Sequence, residues 1–331
     1  MNNRRSLLAG IVAAGLGRPF DLWAQQRGKV WRVGFFYFGS SLSAQNTGRY
    51  WQFQQGMREL GYEEGKNLVI EARFADGKAD RLAGIVAEFT RLNVDVIVAT
   101  GGPVYYALRD AAVNIPVAVT VASDPVGTGL AKSLVHPGGI FTGLSENNSE
   151  LATRHLELLR IAVPNLSRVA VLSNPTNPIG SASQLKSVQA AARPLGISVL
   201  REECSTIEGI TPAFAAISNA RAQALIIFND TFFVQESRYI AEVAVNRHIA
   251  SIFGTQDYAR AGGLMSYGPE VVDNFRRVAV YVDKIFNGAR PGDIPMELPT
   301  RYLLTINRTA AKALGIEISG ELLLRADKVI D

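Results

Sequence analysis

The feature that most constrains this chain is an alternation of short apolar runs with longer segments of helical period, and it occurs twice. The first series has strand-like runs at Val30–Phe38, Leu68–Phe74, Val94–Thr100 and Pro116–Ala122, with helix candidates near 46–60, 79–91, 103–113 and 127–135. The second has strand-like runs at Arg168–Ser173, Ser198–Glu202, Ala224–Phe228, Ala250–Phe253 and Leu264–Tyr267, with helix candidates near 149–162, 180–194, 207–219, 233–247 and 270–287. Runs such as Val94 to Ala99 and Ala224 to Phe228 are almost unbroken apolar stretches, the composition of strands buried on both faces. Strand and helix in turn predict an α/β fold of two Rossmann-like lobes, each a parallel sheet covered by helices on both sides. The Gly- and Asn-rich stretch 139–148 reads as a link between them. Two such halves enclose a cleft that hinge motion can close.

Composition narrows the function classes. The chain has 331 residues, enough for two domains, with 47% hydrophobic and 19% charged residues. The net charge of +4 is modest and its basic residues are scattered, so no nucleic-acid footprint is expected. The single cysteine, Cys204, excludes an internal disulfide, and the three histidines are too far apart in sequence for metal-ligand spacing. No cofactor is expected.

The amino terminus carries a localisation signal. Arg4 and Arg5 precede an uncharged run of about a dozen small and apolar residues, with Leu22-Trp23-Ala24 as a cleavage site. That run is shorter than the roughly 20 residues a membrane-spanning helix needs. Residues 1–24 therefore read as a signal peptide, twin-arginine-like in its paired arginines but open to either the twin-arginine or the general secretory route, and the expected destination is the periplasm.

Ligands of open α/β sheets sit beyond the carboxyl ends of the strands. The candidate binding residues are those just past each run: Tyr37, Phe38, Ser40, Thr100, Gly101, Gly102, Ser123 and Asp124 in the first half, then Asn174, Asn229, Asp230, Asp257, Tyr258 and Tyr267 in the second. Thr100-Gly101-Gly102 opens a helix, so its free N–H groups suit a ligand carboxylate. Asp124, Asp230 and Asp257 suit an ammonium. Tyr37, Phe38, Tyr105, Phe232, Tyr258 and Tyr267 suit an apolar or planar part. Each has a plainer reading as helix cap, turn or core residue; the convergence of several loops on one edge favours a site.

Catalytic patterns are weak. Gly127 to Lys132 lacks the third glycine of a dinucleotide fingerprint and follows the fourth strand. Gly61 to Lys66 is one residue short of a phosphate loop and reads as a helix end and turn. No nucleophile elbow occurs, and Cys204 reads as an inert thiol.

The stretches Gly56 to Leu68, Ser123 to Gly127, Gly138 to Ser145, Asn307 to Ile316 and Arg325 to Ile330 resemble the tryptophan-binding-type substrate-binding proteins of ABC transporters, within the type I periplasmic binding protein fold. The resemblance spans about residues 30–331. The loop from Tyr37 to Ser43 departs from the family's usual histidine- and proline-containing loop. The family implies three crossings between lobes, with one lobe at 28–145 plus 267–293 and the other at 146–266 plus 294–331. It also implies a small-molecule ligand, an ABC permease in the inner membrane as partner, and a monomer. The expected function is the binding component of an importer, closing on a carboxylate-bearing ligand of aromatic amino-acid type. A sensor presenting its closed form to a signalling receptor stays open as an alternative, as does, further off, an enzyme on the same frame. A transcription regulator is disfavoured because an export signal stands where a DNA-binding domain would be.

Overall fold

A computed structural model describes residues 28–299 and 301–331; the expected signal peptide at 1–24 lies outside the described residues. The first sheet contains β1 (Trp31–Tyr37), β2 (Leu68–Phe74), β3 (Val96–Thr100), β4 (Val117–Ser123) and β5 (Phe141–Glu146), in the order β2-β1-β3-β4-β5 with every pair parallel. Period-two alternation divides each strand between two cores. Val33, Phe35 and Tyr37 of β1 face one, and Phe36 and the following Phe38 face the other. Helices α1 (Ser41–Asn46), α2 (Arg49–Glu59), α3 (Leu82–Arg91) and α4 (Gly102–Asp110) connect these strands or cover them.

The second sheet contains β6 (Arg168–Ser173), β7 (Ser198–Glu203), β8 (Ala224–Ile227), β9 (Ala250–Phe253), β10 (Met265–Pro269), β11 (Tyr302–Asn307) and β12 (Lys328–Ile330). Its order is β12-β11-β10-β9-β8-β6-β7, parallel except where β10 meets β11. Its helices are α5 (Asn148–Ala162), α6 (Pro178–Ala192), α7 (Ile207–Asn219), α8 (Thr231–Gln235), α9 (Ser237–Asn246) and α10 (Gln256–Arg260). Ala224 and Ile226 pack on one face of β8, Leu225 and Ile227 on the other. Near the carboxyl terminus, α12 (Arg308–Leu314) and α13 (Gly320–Arg325) complete this lobe.

Between β10 and β11 in chain order comes α11 (Val271–Phe286), which crosses back to the first lobe. Its apolar face, including Phe275, Val278, Ala279 and Val282, joins the core behind β1. It packs so closely on α2 that a methyl at Gly56 would stand 2.4 Å from the Arg276 carbonyl oxygen.

Three local expectations differ from the structure. Residues 127–135 form successive turns, with Gly129 at a φ of 74° and the Thr128 hydroxyl donating to the Asp124 carbonyl. Most of the stretch read as a link is strand β5; its Gly143 lies against the backbone of Val119, where a side chain would collide at 2.3 Å. The crossing itself follows at Asn147, which caps α5 by accepting from the Glu150 N–H at 3.2 Å. The return to the first lobe runs later than 267–293, since β10 is bonded into the second sheet through Pro269. The first lobe keeps Ile294, whose carbonyl accepts from Thr142 Oγ1, and Glu297, whose carbonyl accepts from the Ser145 N–H. Among the described residues, no helix is long and apolar enough to cross a membrane.

Candidate functional site

The carboxyl ends of both sheets face one cleft, and the lobes meet across it. Arg49 Nη2 on α2 donates to Asp257 Oδ2 on α10 at 3.1 Å. The Ser40 N–H donates to Gln235 Oε1 of α8 at 3.2 Å. Gly101 and Gly102 stand against Thr231 and Asn177 of the opposite lobe; a methyl at Gly102 would lie 2.9 Å from Asn177 Oδ1. Between them lies a cavity with about 110 Å³ open to the centre of a water molecule. One water needs roughly 10–15 Å³ on that measure, so the space is of ligand size.

The two walls differ in chemistry. The first lobe contributes the aromatic surface: Tyr37, Tyr105, Tyr106 and Phe275. The second contributes amides and small polar groups, among them Asn148, Asn177, Gln184 and Asn229. Helix α4 opens at the cavity with Gly101 as its N-cap at a φ of 105°, a conformation that favours glycine. No side chain caps this terminus; Pro103 has no N–H, and Val104 and Tyr105 donate theirs to the Gly101 carbonyl, so the first turn offers an anion the Gly102 N–H.

Two charged side chains dominate the electrostatics. Arg49 is only 3% exposed. It sits on the buried stripe of α2 with Phe53, Gly56 and Met57, and its Nη1 is buried without a hydrogen-bond partner. Glu146, the last residue of β5, is 2% exposed. Its Oε2 accepts from Asn229 Nδ2 at 3.3 Å, and its Oε1 is buried without a partner. Burial pushes this carboxyl up to about 7, against the pull of the Asn229 amide.

Asp230 is equally enclosed but differently held. It caps α8 by accepting from the Phe232 N–H at 2.9 Å, and it also accepts from Asn174 Nδ2 at 2.8 Å and Asn177 Nδ2 at 3.2 Å. Burial still raises its carboxyl.

Of the strand-end residues singled out in the sequence, Tyr37, Thr100, Gly101, Gly102, Ser123, Asn229 and Asp230 line the cavity. The others do not. Phe38 is core beneath α4, and the Ser40 hydroxyl caps α1 by accepting from the Ser43 N–H. Asp124 is exposed in its own turn, accepting from the Gly127 N–H. Asn174 stands behind Asp230, and Asp257 behind Arg49. Tyr258 is core, bonded to the Ser251 hydroxyl, while Tyr267 stacks on Tyr302. Phe232, on α8, is not among the lining residues. Arg49, Glu146, Asn177 and Gln184 are lining residues that the sequence reading missed; Glu146 ends a strand that was read as a link, and the signal for Arg49 was a cation on the apolar stripe of α2. Among the described residues no group of three or more His, Cys, Asp or Glu is placed to hold a metal ion.

Comparison with known proteins agrees with this architecture. A tyrosine-binding protein of Clostridioides difficile is 25% identical over 265 residues, covering 80% of this chain and 76% of that protein. A conserved domain protein of Vibrio cholerae superposes with a TM-score of 0.83 at 27% identity, over 91% of this chain and 100% of the other. An ABC domain of Streptococcus pneumoniae in complex with L-Trp gives 0.81 at 23% identity, over 91% and 99%, a likeness of fold. The family model for the ABC transporter substrate binding protein matches residues 39–330, nearly the whole described chain, and with the two-lobed α/β frame it places this chain in that family.

Proposed function

We propose that this protein is the periplasmic binding component of an ABC importer and that it closes on an aromatic amino acid held as a zwitterion. The observation that carries the reading is a set of three buried polar atoms without partners on residues lining one cavity: Arg49 Nη1, Glu146 Oε1 and Asn177 Oδ1. Unpartnered buried groups each cost about 1–3 kcal/mol, so a ligand that satisfies all three gains selectivity from them. A cationic donor calls for a carboxylate, and two acceptors call for an ammonium. Four aromatic side chains from the first lobe supply the wall for a ring. The cavity has the character of a binding site rather than a reaction centre, since it offers no nucleophile paired with a base. The tyrosine-binding relative supports the same ligand class.

The test is a thermal-shift and calorimetric screen of the purified protein against the standard amino acids. Tyrosine, tryptophan or phenylalanine should raise the unfolding midpoint, with about 2.7 kcal/mol of stabilisation at a hundredfold excess over Kd. If no amino acid shifts it, the reading fails.

A further inference from the structure

Glu146 occupies an unusual position. It ends β5 where the chain leaves the first lobe, and it faces the cavity with one oxygen bonded and the other free of partners. Its single donor is shared, because Asn229 Nδ2 also donates to Asn148 Oδ1 at 3.1 Å. The cation of the cavity, Arg49, is engaged by Asp257.

Resting on the zwitterion reading, we infer that Glu146 receives the ligand's ammonium and gives up a proton as it does so, which makes amino-acid binding proton-linked. The groups that face Glu146 agree. Tyr105 on α4 and Tyr302 on β11 both feel its charge as repulsion against their own ionisation, so neither neutralises it. Asp230, in the same cavity, has both oxygens bonded and caps α8. Among the described residues the group that favours the charged form of Glu146 is a neutral amide. With the cavity empty, burial therefore keeps Glu146 largely protonated up to about pH 7. An ammonium placed against Oε1 reverses this preference, and the proton leaves to solvent. The raised pKa belongs to the empty site and the lowered one to the filled site, so affinity is complete above the empty-site value and declines as pH falls through it.

Linkage gives the size. Between about pH 8 and about pH 6 the affinity should fall roughly tenfold, and near pH 7 about half a proton should be released per ligand bound. The experiment is isothermal titration of the purified protein with L-tyrosine and L-tryptophan in buffers of different ionisation enthalpy, across that pH range, for wild type and Glu146→Gln. Wild type should show buffer-dependent heats and the tenfold slope; the variant should show neither. The buffer series on wild type stands whether or not the variant folds. A binding constant flat with pH, or a variant that keeps the wild-type slope, would overturn the proton linkage while leaving the zwitterion reading in place. Failure of both amino acids to bind at any pH would overturn both.

Discussion

Replacing Gly102 by alanine separates closure from folding. The residue has no left-handed φ, so alanine fits its backbone. The added methyl would stand 2.9 Å from Asn177 Oδ1 and 3.2 Å from its Cγ and Nδ2, all on the opposite lobe. Ordinary contact is about 3.5–4.0 Å, so the approach is too close by more than half an ångström. Asn177 cannot retreat freely, since its Nδ2 donates to Asp230 Oδ2 at 3.2 Å. Two outcomes compete. Either Asn177 turns away and a hydrogen bond to a charged group is lost, worth about 1.5–3 kcal/mol, or the lobes stop short and the cavity stays ajar, which overpacking data put at about 1–3 kcal/mol. Together they span roughly 5- to 150-fold weaker binding. With the lobes apart the methyl lacks that neighbour, and the stability of the ligand-free chain should stay level or rise slightly through reduced freedom of the unfolded state. Calorimetry with L-tyrosine and thermal unfolding without ligand measure the two quantities independently. Unchanged affinity would refute the closed geometry across Gly102 and Asn177; weaker binding with an equal drop in ligand-free stability would show that the substitution damages the fold instead.

Two further outcomes follow from buried charge. Arg49→Met keeps the apolar stripe of α2 but removes the guanidinium, and affinity for L-tyrosine should fall roughly 10- to 100-fold, the worth of a charged hydrogen bond; calorimetry that finds wild-type affinity would exclude Arg49 as the carboxylate partner. His155 sits beneath β10 with Nε2 2.7 Å from the Tyr267 carbonyl, and burial pushes its imidazole from 6.5 down to about 4. The folded state thus takes up this proton less readily than the unfolded chain. Its contribution is complete above 6.5 and is lost, up to about 3 kcal/mol, as pH falls toward 4. Glu146 has the opposite sign over the range from 4.5 to about 7, so denaturant midpoints should be followed in the Glu146→Gln background. There a loss of stability below pH 6.5 that disappears on adding His155→Gln would confirm the assignment, and its persistence would refute it.

The sheets were legible because strands covered on both faces carry nearly continuous apolar runs, and β3 and β8 show this directly. Strand β5 was not, because Gly143 and its neighbours have the composition of a loop; the requirement that selects glycine there is contact with Val119 on the adjacent strand, which no local pattern records. Losing β5 also hid Glu146, since its place at a strand end could not be seen. Asn177 and Gln184 lie at the start of α6 or within it, beyond the loop where a strand-end rule looks. Asp124 and Asn174 show the converse error. They stand at strand ends, but their polar atoms are consumed locally, by the turn at Gly127 and by Thr176 and Asp230. Position on the sheet edge identified the neighbourhood; which atoms remain free to bind depends on their hydrogen-bond partners, and those come from distant sequence.

The distribution of the wall groups gives closure its driving force. Aromatic surface comes from one lobe and amides from the other, so on the proposed reading a bound amino acid is only half satisfied until both meet. The ion pair of Arg49 with Asp257 also spans the lobes, so closure sets the orientation of the guanidinium whose Nη1 is left for the ligand. A closed cavity without ligand keeps Arg49 Nη1, Glu146 Oε1 and Asn177 Oδ1 buried and unpartnered, at a cost of about 1–3 kcal/mol each. That cost falls on the closed form alone, because an open cleft lets water reach them. A ligand that pairs all three removes the penalty from one side of the equilibrium, which is what a population shift toward closure requires. An apolar molecule of the same size would fill the space and leave the penalty intact, so under the proposed zwitterion reading discrimination between an amino acid and its uncharged analogues resides in the closing step as much as in first contact.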